Sequence, residues 1–318
     1  MLDIVLLGSG GGMPMPNRHL SSLLIKYMGR KILFDCGEGC QVAMRKVKSG
    51  FKSIDIICIS HLHGDHIFGL PGLLSTMGNS QRTLPLTIIG PIGITDVIRG
   101  MMVPIAYLPF DIHIIEDPKS PIILNRTNDR LEIVEDDNVA NKIILNSLEL
   151  DHSAPCLGFN MYISRRPKFL PEKAIEKGLP NDLWGLLQNG EIVHYKGKSY
   201  GPDMFLGEER KGIKISFITD TRPLKGIIDF IYDSDLFVCE GTYGDNNDID
   251  KAILNKHMTF KEAADLAKSG MVKELLLTHF STAMENPEEY LDGVKDIFNK
   301  TIVGYDGFSK TITYTNSN

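Results

Sequence analysis

The seven residues Ser-His-Leu-His-Gly-Asp-His at 60–66 concentrate side chains that bind metals. They follow an apolar run at 54–59 that is typical of a buried strand. Imidazole and carboxylate groups are the ligands that zinc and other first-row divalent metals take in proteins. A lone loop histidine is usually satisfied by hydrogen bonds, but three histidines and an aspartate at this spacing predict a metal site. The four candidate ligands are His61, His63, Asp65 and His66.

The backbone of this segment predicts that its ligands serve two ions. Alternate residues of an extended chain face the same side, which pairs His61 with His63. Gly64 then permits a sharp turn, so that Asp65 and His66 can point at a second ion. A two-metal site needs about six or seven donors around ions about 3.5–4 Å apart. Further ligands must therefore come from other parts of the chain.

Polar residues at the ends of other strand-like runs are candidates to complete the site. His152 follows the run at 143–150, Asp220 follows 213–219, and His279 follows 275–278. Each of these residues taken alone is more often an ordinary loop residue than a ligand. Their shared placement favours a common site, because strands of one sheet bring their carboxyl ends to one edge.

Glu240 and His257 are candidates for proton transfer. Glu240 ends an apolar run at 236–239, and His257 precedes a helical pattern at 259–269. A Glu–His pair could hold a protonated imidazole ready to donate to a leaving oxygen. Helix capping or surface exposure is the alternative for this histidine. We expect the remaining histidines to be structural or exposed: His19, His113 and His194.

Many alternating strand-like and helical segments predict an α/β fold. The strand-like runs fall at 4–7, 22–26, 31–34, 54–59, 86–89, 112–115, 131–134, 143–150, 158–163, 213–218, 236–239, 274–278 and 311–315. Helical patterns fall at 41–48, 67–78, 92–102, 223–233, 259–269 and 287–299. Two sheets with helices outside them, a four-layer αβ/βα sandwich, accommodate this count in a single domain over residues 1–318.

Residues 167–212 lack this regular pattern, which predicts an arm inserted into the main domain. The segment contains a short helical pattern at 171–177 and the lone Trp184. An exposed tryptophan would suit a binding surface, and packing against the body is equally compatible with the sequence. The charged residues of 165–198 fit either a solvated surface or one that follows phosphates. Its cations are Arg165, Arg166, Lys168, Lys173, Lys177, Lys196 and Lys198.

Composition sets broad limits on location and partners. The formal net charge of −6 does not by itself indicate a nucleic-acid binder, although polyanions respond to local patches. We find no targeting segment, and glycine and proline interrupt the apolar stretch at 83–115 well short of a membrane span. Five cysteines without a paired framework predict reduced thiols and a cytoplasmic protein.

The motifs together resemble a known family. The signature H-x-H-x-D-H of the metallo-β-lactamase superfamily matches residues 61–66. Within it the chain is similar, nearly end to end, to the ribonuclease Z family, endonucleases that remove 3′ trailers from precursor tRNA. The matching blocks are Leu6–Pro14, Phe34–Gln41, Ser60–His66, Gly69–Leu74, Asp220–Arg222, Glu240 with Thr242, His257–Thr259 and Thr278–Ser281.

The resemblance implies a role for each site residue. One zinc ion would be held by His61, His63 and His152, and a second by Asp65, His66 and His279. Asp220 would bridge the two ions, and Asp65 would also act as general base on the attacking water. Glu240 and His257 would serve the leaving oxygen. Manganese or iron could replace zinc, because they accept the same donors.

The resemblance also implies the partners. Residues 165–212 would form a flexible arm, an exosite that grips precursor tRNA. In a homodimer the arm of one subunit would serve the active site of the other.

Two other functions are compatible with the sequence. The same fold could hydrolyse small phosphodiesters or other small substrates, with the arm as a relic or a dimer clamp. A metal-bound RNA-binding protein that no longer cuts is the third hypothesis, and the full set of ligands argues against it. Steep loss of affinity with rising salt would separate a tRNA enzyme from a small-substrate enzyme.

Overall fold

The first strand, β1 (Leu2–Gly8), is buried on both faces and therefore lies between two layers. In the computed structural model, which describes residues 1–105, 107–135 and 141–315, Ile4 and Leu6 pack in the apolar cluster between two sheets. Val5 and Leu7 pack in a second cluster beneath the helices. This alternation follows from the two-residue period of a strand. The predicted sandwich is confirmed.

Seven strands form the first sheet. They are β1, β2 (Ser22–Tyr27), β3 (Arg30–Phe34), β4 (Ile54–Cys58), β5 (Leu86–Gly90), β6 (Ile112–Glu116) and β17 (Ser309–Ile312). Their spatial order is β17-β1-β2-β3-β4-β5-β6. The pairs from β3 to β6 are parallel and the others are antiparallel.

Eight strands form the second sheet. They are β7 (Ile122–Arg126), β8 (Leu131–Ile133), β9 (Ile143–Leu150), β10 (Cys156–Arg165), β13 (Arg210–Ile218), β14 (Leu236–Glu240), β15 (Leu275–Thr278) and β16 (Thr301–Val303). Their spatial order is β16-β15-β14-β13-β10-β9-β7-β8. Strands β13 to β16 are mutually parallel, so their carboxyl ends share one edge.

Helices cover the outer face of each sheet. The first sheet carries α1 (Cys40–Lys46), α2 (Gly64–Ile67), α3 (Leu70–Asn79) and α4 (Ile94–Met102). The helices α7 (Lys225–Ile231), α9 (Phe260–Ser269) and α10 (Leu291–Lys295) cover the second sheet, and α8 (Ile249–Asn255) precedes α9. Within the described residues, no helix has the length and apolar character needed to cross a membrane.

The structure differs from the sequence prediction in a few elements. Each predicted strand run overlaps an observed strand, but β7, β16 and helix α8 were not anticipated, nor were the helix and two short strands within 184–200. The pattern at 67–78 is interrupted, since α2 ends at Ile67 and α3 begins at Leu70. The predicted helix at 287–299 is shorter than expected, because its first turn, Pro287–Tyr290, is a 3-10 helix.

Between β10 and β13 the chain forms a small unit, residues 166–209, that we call the arm. It contains α5 (Pro171–Glu176), α6 (Trp184–Gln188) and the hairpin β11 (Val193–Tyr195) and β12 (Lys198–Tyr200). These elements enclose their own apolar cluster, with Phe205 fully buried. The indole of Trp184 lies 5.7 Å from the Phe169 ring and donates to the Leu179 carbonyl at 3.1 Å. This tryptophan therefore packs inside the arm.

Candidate metal centre and active site

Three residues of the candidate site have left-handed backbone conformations directly beyond strands. The φ angles are 56° for Asp35, 51° for Asp220 and 58° for His279. For residues other than glycine such a conformation costs about 1–3 kcal/mol each. The fold holds them there because strands β3, β13 and β15 all deliver their carboxyl ends to one edge of the sandwich.

The first cluster of donors consists of three histidines. The Nε2 atom of His61 lies 3.0 Å from Nδ1 of His63, and that same Nδ1 lies 3.3 Å from Nε2 of His152. His61 is fully buried, His152 is partly buried and His63 is exposed. Three imidazole nitrogens that converge in this way match the histidine face of a zinc site.

The second cluster contains Asp65, His66 and His279. The Nε2 atoms of the two histidines lie 3.2 Å apart, and each lies 3.4 Å from Oδ2 of Asp65. Both histidines are buried, and the aspartate is the member nearest to solvent. The donor set is again one that a first-row divalent metal accepts.

Asp220 lies between the two clusters and offers one carboxylate oxygen to each. Its Oδ1 lies 3.8 Å from Nε2 of His61 and 3.9 Å from Nε2 of His152. Its Oδ2 lies 3.3 Å from Nε2 of both His66 and His279. A carboxylate placed in this way can contact two ions at once, as a two-metal site requires.

Hydrogen bonds from the protein fix the orientation of four of these imidazoles. The Nδ1 atom of each ring faces a protein oxygen, and its Nε2 faces the donor cluster. The four pairs are His66 with Asp35 Oδ2 at 2.7 Å, His61 with Ser60 Oγ at 3.1 Å, His279 with Thr242 Oγ1 at 3.1 Å and His152 with the Lys256 carbonyl at 3.3 Å. His63 is the exception, because it presents Nδ1 to the cluster.

The glycine-rich start of the chain forms one wall of the site. The amide of Gly12 donates to Asp65 Oδ2 at 2.6 Å. A Cβ atom on Gly11 would lie 2.4 Å from the His279 ring. The absence of a side chain at Gly11 therefore lets the backbone approach the His279 ring, and a larger residue there would displace this histidine.

The charges of the site favour a bound cation. Burial raises the pKa of Asp220, but the four surrounding histidines outweigh this effect and hold the pKa well below its ordinary value. Burial lowers the pKa of His66, yet the negative charges of Asp220 and Asp35 raise it well above normal. A proton on this ring offsets the same negative charge that a bound metal ion would neutralise. The donors and their charges therefore fit divalent metal ions.

His257, which is partly buried, and Glu240, which is buried, form a pair beside the clusters. Their Nδ1 and Oε2 atoms lie 3.1 Å apart. Burial lowers the pKa of His257, but the adjacent carboxylate outweighs burial and raises this pKa to about 9. Glu240 is held by the amides of Thr221 at 2.7 Å and Met258 at 3.1 Å. The imidazole is thus protonated at neutral pH and anchored on one nitrogen.

The structure brings every residue predicted for the site to one place, while their ligand and catalytic roles stay predictions. These residues are His61, His63, Asp65, His66, His152, Asp220, Glu240, His257 and His279. The other three histidines lie elsewhere: His19 bonds Lys46, His194 bonds Ser199, and His113 is exposed on β6. Sequence reasoning did not single out Asp35, although it follows a strand as the predicted ligands do.

Comparison with known proteins agrees with this geometry. A family model described as "Anti-Pycsar protein Apyc1" matches residues 2–92. Ribonuclease Z of Alkaliphilus oremlandii is 61% identical over 99% of this chain and 100% of its own length. Ribonuclease Z of Clostridium beijerinckii is 57% identical over 99% of each chain.

Solved structures give the same result. Human tRNase Z, short form (ELAC1), superposes with a TM-score of 0.67 at 26% identity, over 98% of this chain and 99% of its own. The metallo-β-lactamase fold protein YhfI of Bacillus subtilis reaches a TM-score of 0.64 at 17% identity, over 97% and 98% of the two chains, which bears on the fold alone. The chain therefore belongs to the ribonuclease Z family of metal-dependent hydrolytic nucleases.

Proposed function

We propose that this chain is the endoribonuclease that removes the 3′ trailer from precursor tRNA. The observation that carries the proposal is the Asp220 carboxylate, whose two oxygens face two donor clusters in a member of the ribonuclease Z family. The reaction breaks the phosphorus–O3′ bond and forms a phosphorus–oxygen bond with water. The tRNA then ends in a 3′-hydroxyl, and the trailer carries the phosphate.

We propose two divalent ions per subunit, zinc with manganese or iron as alternatives. His61, His63 and His152 would hold one ion, and Asp65, His66 and His279 the other, with Asp220 shared. Such ions, when bound, lower the pKa of a water ligand to about 7 and stabilise charge on a phosphate.

In this proposal Asp65 accepts the proton of the attacking water. The Gly12 amide fixes Oδ2 at 2.6 Å. A carboxylate fixed in this way would orient the water and receive its proton as the new bond forms.

In this proposal His257 protonates the leaving O3′. Glu240 holds its Nδ1 at 3.1 Å, and among the residues that the structure describes no hydrogen bond occupies its Nε2. The Nε2–H can therefore face the substrate. A positioned acid of this kind contributes about 10²–10⁴-fold to the rate, and most when the leaving group is a poor one, such as a ribose oxygen.

The arm lies at the far end of the sheet from its own metal centre. At the near end of β10 the Leu157 amide donates to the Ser60 carbonyl at 2.8 Å. At the far end Arg165 pairs with Arg210. The eight intervening steps of strand span about 26 Å. This separation supports a homodimer in which the arm of one subunit serves the tRNA bound at the other active site.

The surface of the arm supports tRNA as the partner, and the thiols support a cytoplasmic location. Five cations of the arm are exposed and can follow phosphates: Lys168, Lys173, Lys177, Lys196 and Lys198. The five cysteines are buried free thiols, as expected of a protein in the reducing cytoplasm.

Cleavage of an end-labelled precursor tRNA with a 3′ trailer tests the proposed function. The wild-type protein with zinc or manganese should give one product that ends at the base of the acceptor stem. Asp65→Ala should bind the precursor and leave it uncut. Turnover of a chromogenic phosphodiester together with intact tRNA would contradict the proposal and favour a small-substrate hydrolase.

Deletion of residues 170–205 tests the role of the arm. The variant should lose tRNA cleavage far more than hydrolysis of the chromogenic phosphodiester, and sedimentation should show a dimer for the full chain. Mixed dimers combine one subunit that lacks the arm but has an intact metal centre with one that has the arm but carries Asp65→Ala. These dimers should cleave tRNA, although neither variant does so alone. Equal loss on both substrates, or no recovery, would contradict an arm that acts across the dimer.

A further inference from the structure

Phe68 presents an aromatic ring to solvent beside the candidate metal centre. It lies one turn after Gly64, directly beyond the end of α2, and 64% of the residue is exposed. Single exposed apolar residues are ordinary on protein surfaces. The position of this ring is specific, because Gly64 stands between the candidate ligands His63 and Asp65.

Because residue 64 is glycine, there is room for the Phe68 ring beside the backbone. A Cβ atom on Gly64 would lie 2.3 Å from one ring carbon of Phe68 and 2.7 and 2.9 Å from two others. Any larger residue would therefore push the ring off the ligand loop. These distances place one side of the ring over the backbone of Gly64.

We propose that Phe68 is a substrate-positioning residue that stacks on a base next to the scissile phosphate. This inference rests on the proposed function. The bases that flank a phosphodiester in a single-stranded 3′ end are unpaired, and aromatic side chains are the usual platforms for such bases. Stacking accepts every base because each has a π-face. An enzyme that cuts trailers of varied sequence needs a contact of this tolerance.

Kinetics of Phe68 variants on intact and abasic precursors test the proposal. Phe68→Ala should lower kcat/KM for the intact precursor about 5- to 150-fold, the range that corresponds to base–aromatic stacking. Phe68→Leu should lose a similar factor, whereas Phe68→Trp should keep most of the rate. Bound metal and the melting temperature of each variant show whether the centre is intact.

Precursors with one abasic nucleotide, placed in turn on either side of the scissile bond, locate the contact. At the stacked position the wild-type rate should fall and the further loss from Phe68→Ala should vanish. The matched control is Tyr232→Ala, an aromatic residue 52% exposed near the amino end of β14, which should leave all rates unchanged.

The outcomes separate this inference from the proposed function. Wild-type cleavage with no loss in Phe68→Ala, or with the same loss on every abasic precursor, would overturn the stacking contact alone. Failure of the wild-type protein to cut the intact precursor would overturn the proposed function and this inference with it.

Discussion

The guanidinium of Arg222 joins the backbone of His257 to helix α9. It donates to the His257 carbonyl and to both carboxylate oxygens of Glu262. Glu262 in turn accepts from the Thr259 amide at 2.9 Å and completes a capping box. The loop that carries the proposed acid is therefore fixed by the ion pair between Arg222 and Glu262.

Arg222→Gln tests this positioning role. We expect kcat for precursor tRNA to fall about 10- to 100-fold, the usual cost of losing an outer partner of a functional group, with little change in KM. Arg222→Lys should restore only part of the rate, because lysine cannot donate in a fork. Arg99→Gln, which breaks the exposed pair with Asp96, should have no effect. A fall in KM and kcat together would contradict the role.

His257→Gln should reveal a general acid through its dependence on the leaving group. For precursor tRNA, with its ribose leaving oxygen, we expect kcat to fall by about 10²–10⁴-fold. For a p-nitrophenyl phosphodiester the loss should be small, since that leaving group needs no proton. The measurement is kcat for the same preparations on both substrates. Equal losses on the two substrates would instead identify a ligand or a structural residue.

Much of this site follows from the sequence, because its geometry is set by strand ends. An apolar run followed by a polar residue predicted where His152, Asp220 and His279 would meet. The same logic did not reveal how His63 differs from its neighbours, since the nitrogen that a ring presents depends on side-chain torsions. Nor did it assign a role to the hydroxyl of Thr242, which depends on a contact with the His279 ring beyond the neighbouring strand β15.

The sheets were predictable for a similar reason, and the short helices were less so. Strands buried on both faces give long apolar runs, as in β4 and β14. Helix α8 has a single buried residue, Ala252, so it carries no apolar stripe for a pattern to detect. The arm lacked periodicity because its core consists of isolated side chains from short elements rather than from one helix or sheet.

Lys31 gives a pH dependence of stability. Burial lowers its pKa from 10.5 to about 8 in the fold. Between pH 8 and 10.5 the unfolded chain therefore binds more protons than the folded one, and stability rises with pH. Below pH 8 the buried charge lowers stability, a penalty that fades across this window.

Comparison with Lys31→Met isolates this effect. The free energy of unfolding of the wild-type protein, measured in denaturant from pH 7.5 to 10.5, should approach that of the variant from below as the pH rises. Exposed Lys268→Met should run parallel to the wild type throughout. A constant difference between wild type and Lys31→Met would contradict a lowered pKa.

Asp55 should be among the most sensitive positions for stability. Its carboxylate is buried, pairs with Arg30 and lies 3.4 Å from buried Arg82, and it accepts from the Leu131 amide at 2.8 Å. Asp55→Ala leaves a buried guanidinium without its anion, so we expect a loss of about 3–5 kcal/mol in the free energy of unfolding.

The exposed Asp96 provides the comparison for that variant, since Asp96→Ala breaks a surface pair worth about 0–1 kcal/mol. Denaturant unfolding curves of both proteins give the two values. Equal losses would show that Asp55 is not a structural anchor.

The measurement that tests the central claim most directly is a metal titration of metal-free protein, followed by cleavage of precursor tRNA at each step. Two donor clusters that share Asp220 predict two tightly bound ions per chain. They also predict activity that reaches its maximum only as the second site fills. Asp220→Ala should bind metal weakly at both sites and stay inactive. Full activity with one ion per chain, or in Asp220→Ala, would contradict the account.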